Sequence, residues 1–176
     1  MIISSIEDGR VAANAAEYRR LRGDPCYTDV RFNPRTGGLV ATHRDHNFDV
    51  KKGWYEKEVQ RVGYEHGASV VFGKEGTEGS RARYAEGTWD GKLFEVAGKE
   101  TATPSNIKKG LNHCAGKPDT KIAVLYFPNH NFDSKSFERG LAMYNGVERS
   151  GGRGFRWFEQ IICIQGDEIV YKKSHR

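Results

Sequence analysis

Hydrophobic positions in this chain fall into short runs of two periods, separated by polar or glycine-rich segments. From Trp54 to His66, Tyr55, Val59 and Val62 recur at helical spacing, which predicts a helix, with Gly67 suited to its C-terminal cap. Ala68–Phe72 follows as a short apolar strand. Arg81–Ala85 reads as another strand, and Lys92–Ala97 as the strand that leaves the Trp89-Asp90-Gly91 turn. Pro104–Cys114 has a helical pattern, with Thr103 as N-cap and Pro104 at the first helical position. Lys121–Phe127 is apolar enough to be a central strand. A helix starting from Asp133 or Ser134 and running through Met143 comes next. Phe158–Ile164 and Glu168–Lys172 then flank Gly166-Asp167 as a hairpin.

The first 52 residues carry weaker signals. Val11–Leu21 is rich in helix-forming residues and is stopped by Gly23-Asp24-Pro25. Tyr27–Phe32 alternates like a strand, Asn33–Gly38 has turn chemistry, and Leu39–Thr42 is a fitting hairpin partner. His43–Asp49 reads as a polar loop. From Trp54 onward the expected order is α-β-β-β-α-β-α-β-β. It predicts an α+β fold with a mixed, mainly antiparallel sheet packed by two or three helices. Residues 1–52 are expected as an N-terminal extension (short helix plus hairpin and loop) and residues 53–176 as the core, in one compact domain overall.

Composition narrows the class. The chain has 176 residues, 37% of them hydrophobic and 29% charged, which suits a folded hydrophilic domain and excludes a disordered one. No apolar run approaches membrane-spanning length, and the first residues lack the pattern of a secretory signal. Cys26, Cys114 and Cys163 form no close pair, which argues against a disulfide framework and against a CxxC zinc site. Cys114 and Cys163 lie in apolar surroundings and are expected as buried thiols. A cytoplasmic site of action follows, with any export left to a larger secreted or virion protein. The net charge of +5 and a pI of about 9.1 favour a polyanionic partner.

Gly87–Asn106 is the segment richest in chemistry. A turn presents Asp90, a strand presents Glu95, and a polar loop holds Lys99, Thr101 and Thr103 before a helix N-terminus. Backbone donors at such a terminus bind phosphate, and a lysine beside it neutralises charge developing on phosphorus. His43-Arg44-Asp45-His46 has spacing compatible with metal chelation, with Asp45 or Asp49 joining, or with lining a cleft, but without a fourth ligand in sequence it reads first as an exposed loop. Lys74, Arg81, Arg83, Lys108 and Lys109, with Lys51 and Lys52, are candidates for a phosphate-tracking surface to which His43 and His46 could add. Among the aromatic residues, Trp54 is expected in the core, while Trp89 and Tyr84 are open between packing and base stacking.

Tyr55-Glu-Lys-Glu-Val, Gly67-Ala-Ser-Val-Val-Phe, Trp89-Asp-Gly-Lys-Leu-Phe-Glu-Val and Asn106-Ile-Lys-Lys-Gly-Leu occur in an order that resembles C-terminal nuclease domains of polymorphic toxins. These include contact-dependent growth inhibition toxins and domains attached to phage head-morphogenesis proteins. The resemblance spans roughly residues 53–172 and rests on order and spacing. It implies a nuclease, an RNA or DNA substrate and, for a toxin, an immunity protein as partner. Within it, similarity to the barnase–EndoU–colicin–RelE group implies a metal-independent endoribonuclease that cleaves RNA such as tRNA, needs no cofactor, and draws on His113, Lys99, Thr101, Thr103 and Arg81 or Arg83. Similarity to the PD-(D/E)XK nucleases implies instead Mg²⁺ or Mn²⁺, with Glu56 as the helix acid and Asp90 and Glu95 as ligands. The lysine that this second pattern expects two residues after Glu95 is Ala97 here, which favours the metal-independent alternative. A non-enzymatic phage or mobile-element binding module is the third alternative.

Overall fold

The computed structural model describes residues 2–48, 53–74, 85–129, 131–149 and 158–174. Among these there are four helices and eight strands, in an α+β arrangement with mixed strand pairing. The expected fold class holds. So does the element order from Trp54, although one strand comes from different residues. By its internal contacts the chain divides into two units, Met1–Thr77 with Glu86–Gly91, and Glu78–Ala85 with Lys92–Arg176.

The first unit holds α1 (Ile2–Arg22), β1 (Tyr27–Phe32), β2 (Leu39–His43), α2 (Trp54–Glu65), β3 (Ser69–Phe72) and β4 (Gly87–Trp89). Residues 1–52, expected as an extension, thus supply α1, β1 and β2 to this unit. The pairings are β1–β2 antiparallel, β2–β3 parallel and β3–β4 antiparallel. Alternation along the strands gives each sheet face its own helix. Leu39, Ala41 and Val71 pack with Leu21 and Tyr18 of α1. On the opposite face Val70 and Trp89 lie beneath Gly63 of α2. Helix α1 begins nine residues before the stretch whose composition predicts it. Strand β4 is three residues long, too short for a periodic signal. The strand expected over residues 81–85 falls almost wholly outside the described residues, as do Gly151–Gly154.

The second unit holds β5 (Lys92–Gly98), α3 (Pro104–Ala115), β6 (Ile122–Phe127), α4 (Ser134–Arg149), β7 (Gln160–Gln165) and β8 (Glu168–Ser174). Strands β5, β6 and β7 run parallel in sequence order, connected by α3 and α4, and β8 returns antiparallel to β7. Both helices pack on one sheet face, where Ala97, Ala123, Leu125, Ile161 and Cys163 meet Ile107, Leu111, Phe137 and Leu141. The alternate residues Phe94, Val96, Val124 and Ile162 are buried as well. Burial on both faces is why β6 reads as one continuous apolar run. Helices α3 and α4 meet at Gly140, where an added Cβ would stand 2.6 Å from the Ile107 side chain and 2.8 Å from the Pro104 carbonyl oxygen. Thr103 caps α3 by accepting from the Asn106 N–H, and Asp133 caps α4 by accepting from the Ser136 N–H. Cys114 and Cys163 are buried free thiols, as expected, and burial pushes the Cys163 thiol up from its ordinary value.

Candidate active site

Strand alternation turns Glu95, Ala97 and Lys99 to the sheet face that carries α3. Because α3 returns toward the start of β5, its last turn meets Glu95 and its middle meets Lys99. The Glu95 side chain is 0% exposed, and its Oε1 lies 3.1 Å from His113 Nε2. Its Oε2 lies 4.0 Å from Lys117 Nζ and has no hydrogen-bond partner among the described residues. The Cys114 thiol donates to the Glu95 carbonyl oxygen at 3.5 Å, which ties the helix to the same strand residue.

A carboxylate taken out of water needs cationic or hydrogen-bonding neighbours, since the desolvation penalty is several kcal/mol. His113 and Lys117 are those neighbours. Nε2–H donates to Glu95, so Nδ1 is left as the basic nitrogen, with no partner among the described residues. The ring is 50% exposed and therefore open to a substrate. A buried acid holding one nitrogen of a half-exposed imidazole sets both tautomer and orientation, the role an orienting carboxylate has beside a general base.

Basic residues gather beside this pair. Lys109 and His113 are four apart on α3 and share a face. A Cβ built on Gly110 would lie 3.8 Å from Lys99 Cε, which places the Lys99 stem along the same helix. Lys117 was not among the residues expected here. Its signal was the continuation of the Lys109–His113 spacing by four more residues, past the helix cap.

The other candidates lie elsewhere. Thr101 and Thr103 are at the opposite end of α3, about 15 Å from His113 at 1.5 Å rise per residue. Both are engaged in the cap with Asn106, which donates to the Thr101 hydroxyl and whose N–H binds Thr103. They do not join His113 in one centre. Asp90 belongs to the first unit, and its Oδ1 accepts from the Ser69 N–H at 2.8 Å. Its φ of 48° and the 79° of Gly91 are those of a tight two-residue turn. Lys108 is half-buried and Lys74 is exposed, 3.5 Å from Asp45. His43 is mostly covered, and its Nδ1 accepts from the Asp45 N–H. His46 is buried beside Glu56, out of reach of a surface-bound nucleic acid. Arg81, Arg83, Tyr84, Lys51 and Lys52 fall outside the described residues. Of the two tryptophans, the expectation of Trp54 in the core does not hold, and Trp89, left open, falls to packing. Trp54 is 44% exposed at the start of α2, because its position precedes the apolar stripe, whereas Trp89 is 1% exposed under Gly63 and cannot stack on a base.

Among the described residues, no helix is long and apolar enough to cross a membrane. No family model matches the chain, and neither a curated protein nor a solved structure matches it.

Proposed function

We propose that this chain is an endoribonuclease domain whose acid–base centre is His113, positioned by Glu95 and flanked by Lys117, Lys109 and Lys99. The observation that carries the proposal is the fully buried Glu95 carboxylate holding Nε2 of a half-exposed imidazole. His113 Nδ1 takes the proton of a ribose 2′-hydroxyl as that oxygen attacks phosphorus. The bond to the 5′-oxygen breaks, the leaving oxygen is protonated from solvent, and a 2′,3′-cyclic phosphate remains. Imidazole suits the step because its ordinary pKa lies near neutrality. The lysines neutralise charge on the phosphorane. A net charge of +5 supports a polyanionic substrate, with structured RNA such as tRNA as the proposed class, and suits an acidic immunity protein as inhibitor. The cytoplasm, where such RNA resides, is the proposed site of action.

The test is incubation of purified protein with total bacterial RNA and with plasmid DNA, in Mg²⁺ and in excess EDTA. RNA cleavage that persists in EDTA and falls by about 10²–10⁴-fold in a folded His113→Ala variant is the expected outcome. Full cleavage by that variant would remove the site. Cleavage only with Mg²⁺ or Mn²⁺ would shift the chemistry to carboxylate ligands, and binding without turnover would make the chain a recognition module.

A further inference from the structure

The first unit contains a second histidine–carboxylate arrangement, built on the opposite plan. His46, Glu56 and Glu86 bring one ligand atom each to within 4.8 Å of one another. Glu56 lies in the first turn of α2 and Glu86 just before β4, while His46 follows the β2 loop. The His46 side chain is 1% exposed and that of Glu56 10%. The imidazole stacks on Phe72 with centroids 4.7 Å apart and meets Phe48 edge-on at 4.7 Å. Its Nδ1 lies 3.0 Å from the Gly73 carbonyl oxygen. A carbonyl only accepts, so Nδ1 carries the proton and the lone pair of the neutral ring is on Nε2.

That lone pair points at a carboxylate oxygen. Nε2 and Glu56 Oε2 are 3.4 Å apart. Two ligand atoms each about 2.1 Å from a tetrahedral zinc ion stand about 3.4 Å apart. The Nδ1–carbonyl bond is likewise the outer-shell contact that orients a ligating imidazole. The Glu56 carboxylate folds back over Gly53, where a Cβ would lie 2.6 Å from its Oε1, so the backbone is shaped around this acid.

We infer that His46 Nε2, Glu56 and Glu86 form a binding site for a divalent cation of the Zn²⁺ class. One imidazole and two carboxylates suit Zn²⁺ over Mg²⁺, which prefers oxygen ligands. The site is independent of the His113 chemistry.

Untagged protein stripped with chelator is titrated with Co²⁺ and followed by its visible d–d absorption, then with Zn²⁺ by calorimetry and thermal unfolding. One equivalent of Zn²⁺ bound, intense tetrahedral-type Co²⁺ bands and a rise in Tm are expected. Because Glu86 is partly exposed, Glu86→Gln leaves the buried pair in place and should weaken Zn²⁺ binding by at least about 10–100-fold. Glu56→Gln should do the same. Absence of Co²⁺ bands and of a Zn²⁺ heat in the folded wild-type protein would overturn the site and leave His46–Glu56 as an ion pair. Binding that Glu86→Gln does not weaken would overturn the assignment of its ligands.

Discussion

Truncation of His113 to alanine removes the nearer hydrogen-bonding partner of a carboxylate that is 0% exposed. Losing one member of a buried pair costs about 3–5 kcal/mol, because the remaining charge is stranded out of water. Here the imidazole is 50% exposed and Lys117 stays 4.0 Å from Oε2, so about 2–3 kcal/mol is expected. For a chain of this size that is a Tm fall of about 4–12 °C. Glu95→Gln keeps the shape and removes the charge. Combined with His113→Ala it relieves the stranding, so the double variant should be more stable than the sum of the two single effects by about 1–2 kcal/mol. Urea unfolding of the four proteins, fitted with a shared m-value, supplies the cycle. Additivity to within about 0.5 kcal/mol would refute the coupling and leave His113 as a surface residue that happens to lie beside Glu95.

Gly140→Ala should destabilise the second unit by about 1–3 kcal/mol, since the new Cβ would force α4 away from Ile107 and the Pro104 carbonyl. An unconstrained helical glycine would instead gain up to about 1 kcal/mol from alanine, so the sign of the Tm change alone decides. Asp133 at the cap of α4 is held below its ordinary carboxylate pKa, chiefly by the Ser136 N–H. Its contribution is therefore fully present above about pH 4 and is lost as pH falls through its lower folded value. Asp133→Asn keeps the cap bonds but not the titration. Its Tm should converge with that of the wild type as pH drops from 5 toward 2, and a gap that widens over that range would contradict the assignment.

Elements with a strong period were legible in the sequence, and elements set by tertiary contacts were not. The spacing of Tyr55, Val59 and Val62 located α2, and the unbroken run 121–127 located β6, because burial of one stripe or of two faces writes itself into composition. The Thr103-Pro104 start of α3 was legible for the same local reason. The three-residue strand β4 was not, since its pairing with β3 is fixed across an intervening segment of the chain. At the site, Glu95 and His113 were both legible as chemical candidates. That they touch was not, because 18 residues and a change of element separate them. Thr101 and Thr103 are grouped with His113 only by the resemblance to metal-independent ribonucleases, yet a helix capped by Thr103 and ending just past His113 keeps them a helix length apart. Glu86 carried no signal at all, since nothing local distinguishes a ligating glutamate from a solvated one.

The two histidine–glutamate pairs look alike in composition and differ in which nitrogen is committed. In His113 the carboxylate holds Nε2, and Nδ1 has no partner among the described residues in a ring that is 50% exposed. In His46 a backbone carbonyl holds Nδ1, and Nε2 faces the carboxylate inside a ring that is 1% exposed. A general base must exchange its proton with a substrate, so only the first can act as one. An inner-shell ligand needs a lone pair aimed at other donors. The third donor decides this second case, because Glu86 joins His46 and Glu56, whereas among the described residues His113 and Glu95 belong to no such group of three. The variants should therefore separate cleanly. Glu86→Gln should abolish the Co²⁺ bands while leaving EDTA-resistant RNA cleavage in place, and His113→Ala should do the reverse. If either substitution removed both signals from a folded protein, the two pairs would share one function, and the distinction drawn from their tautomers would fail.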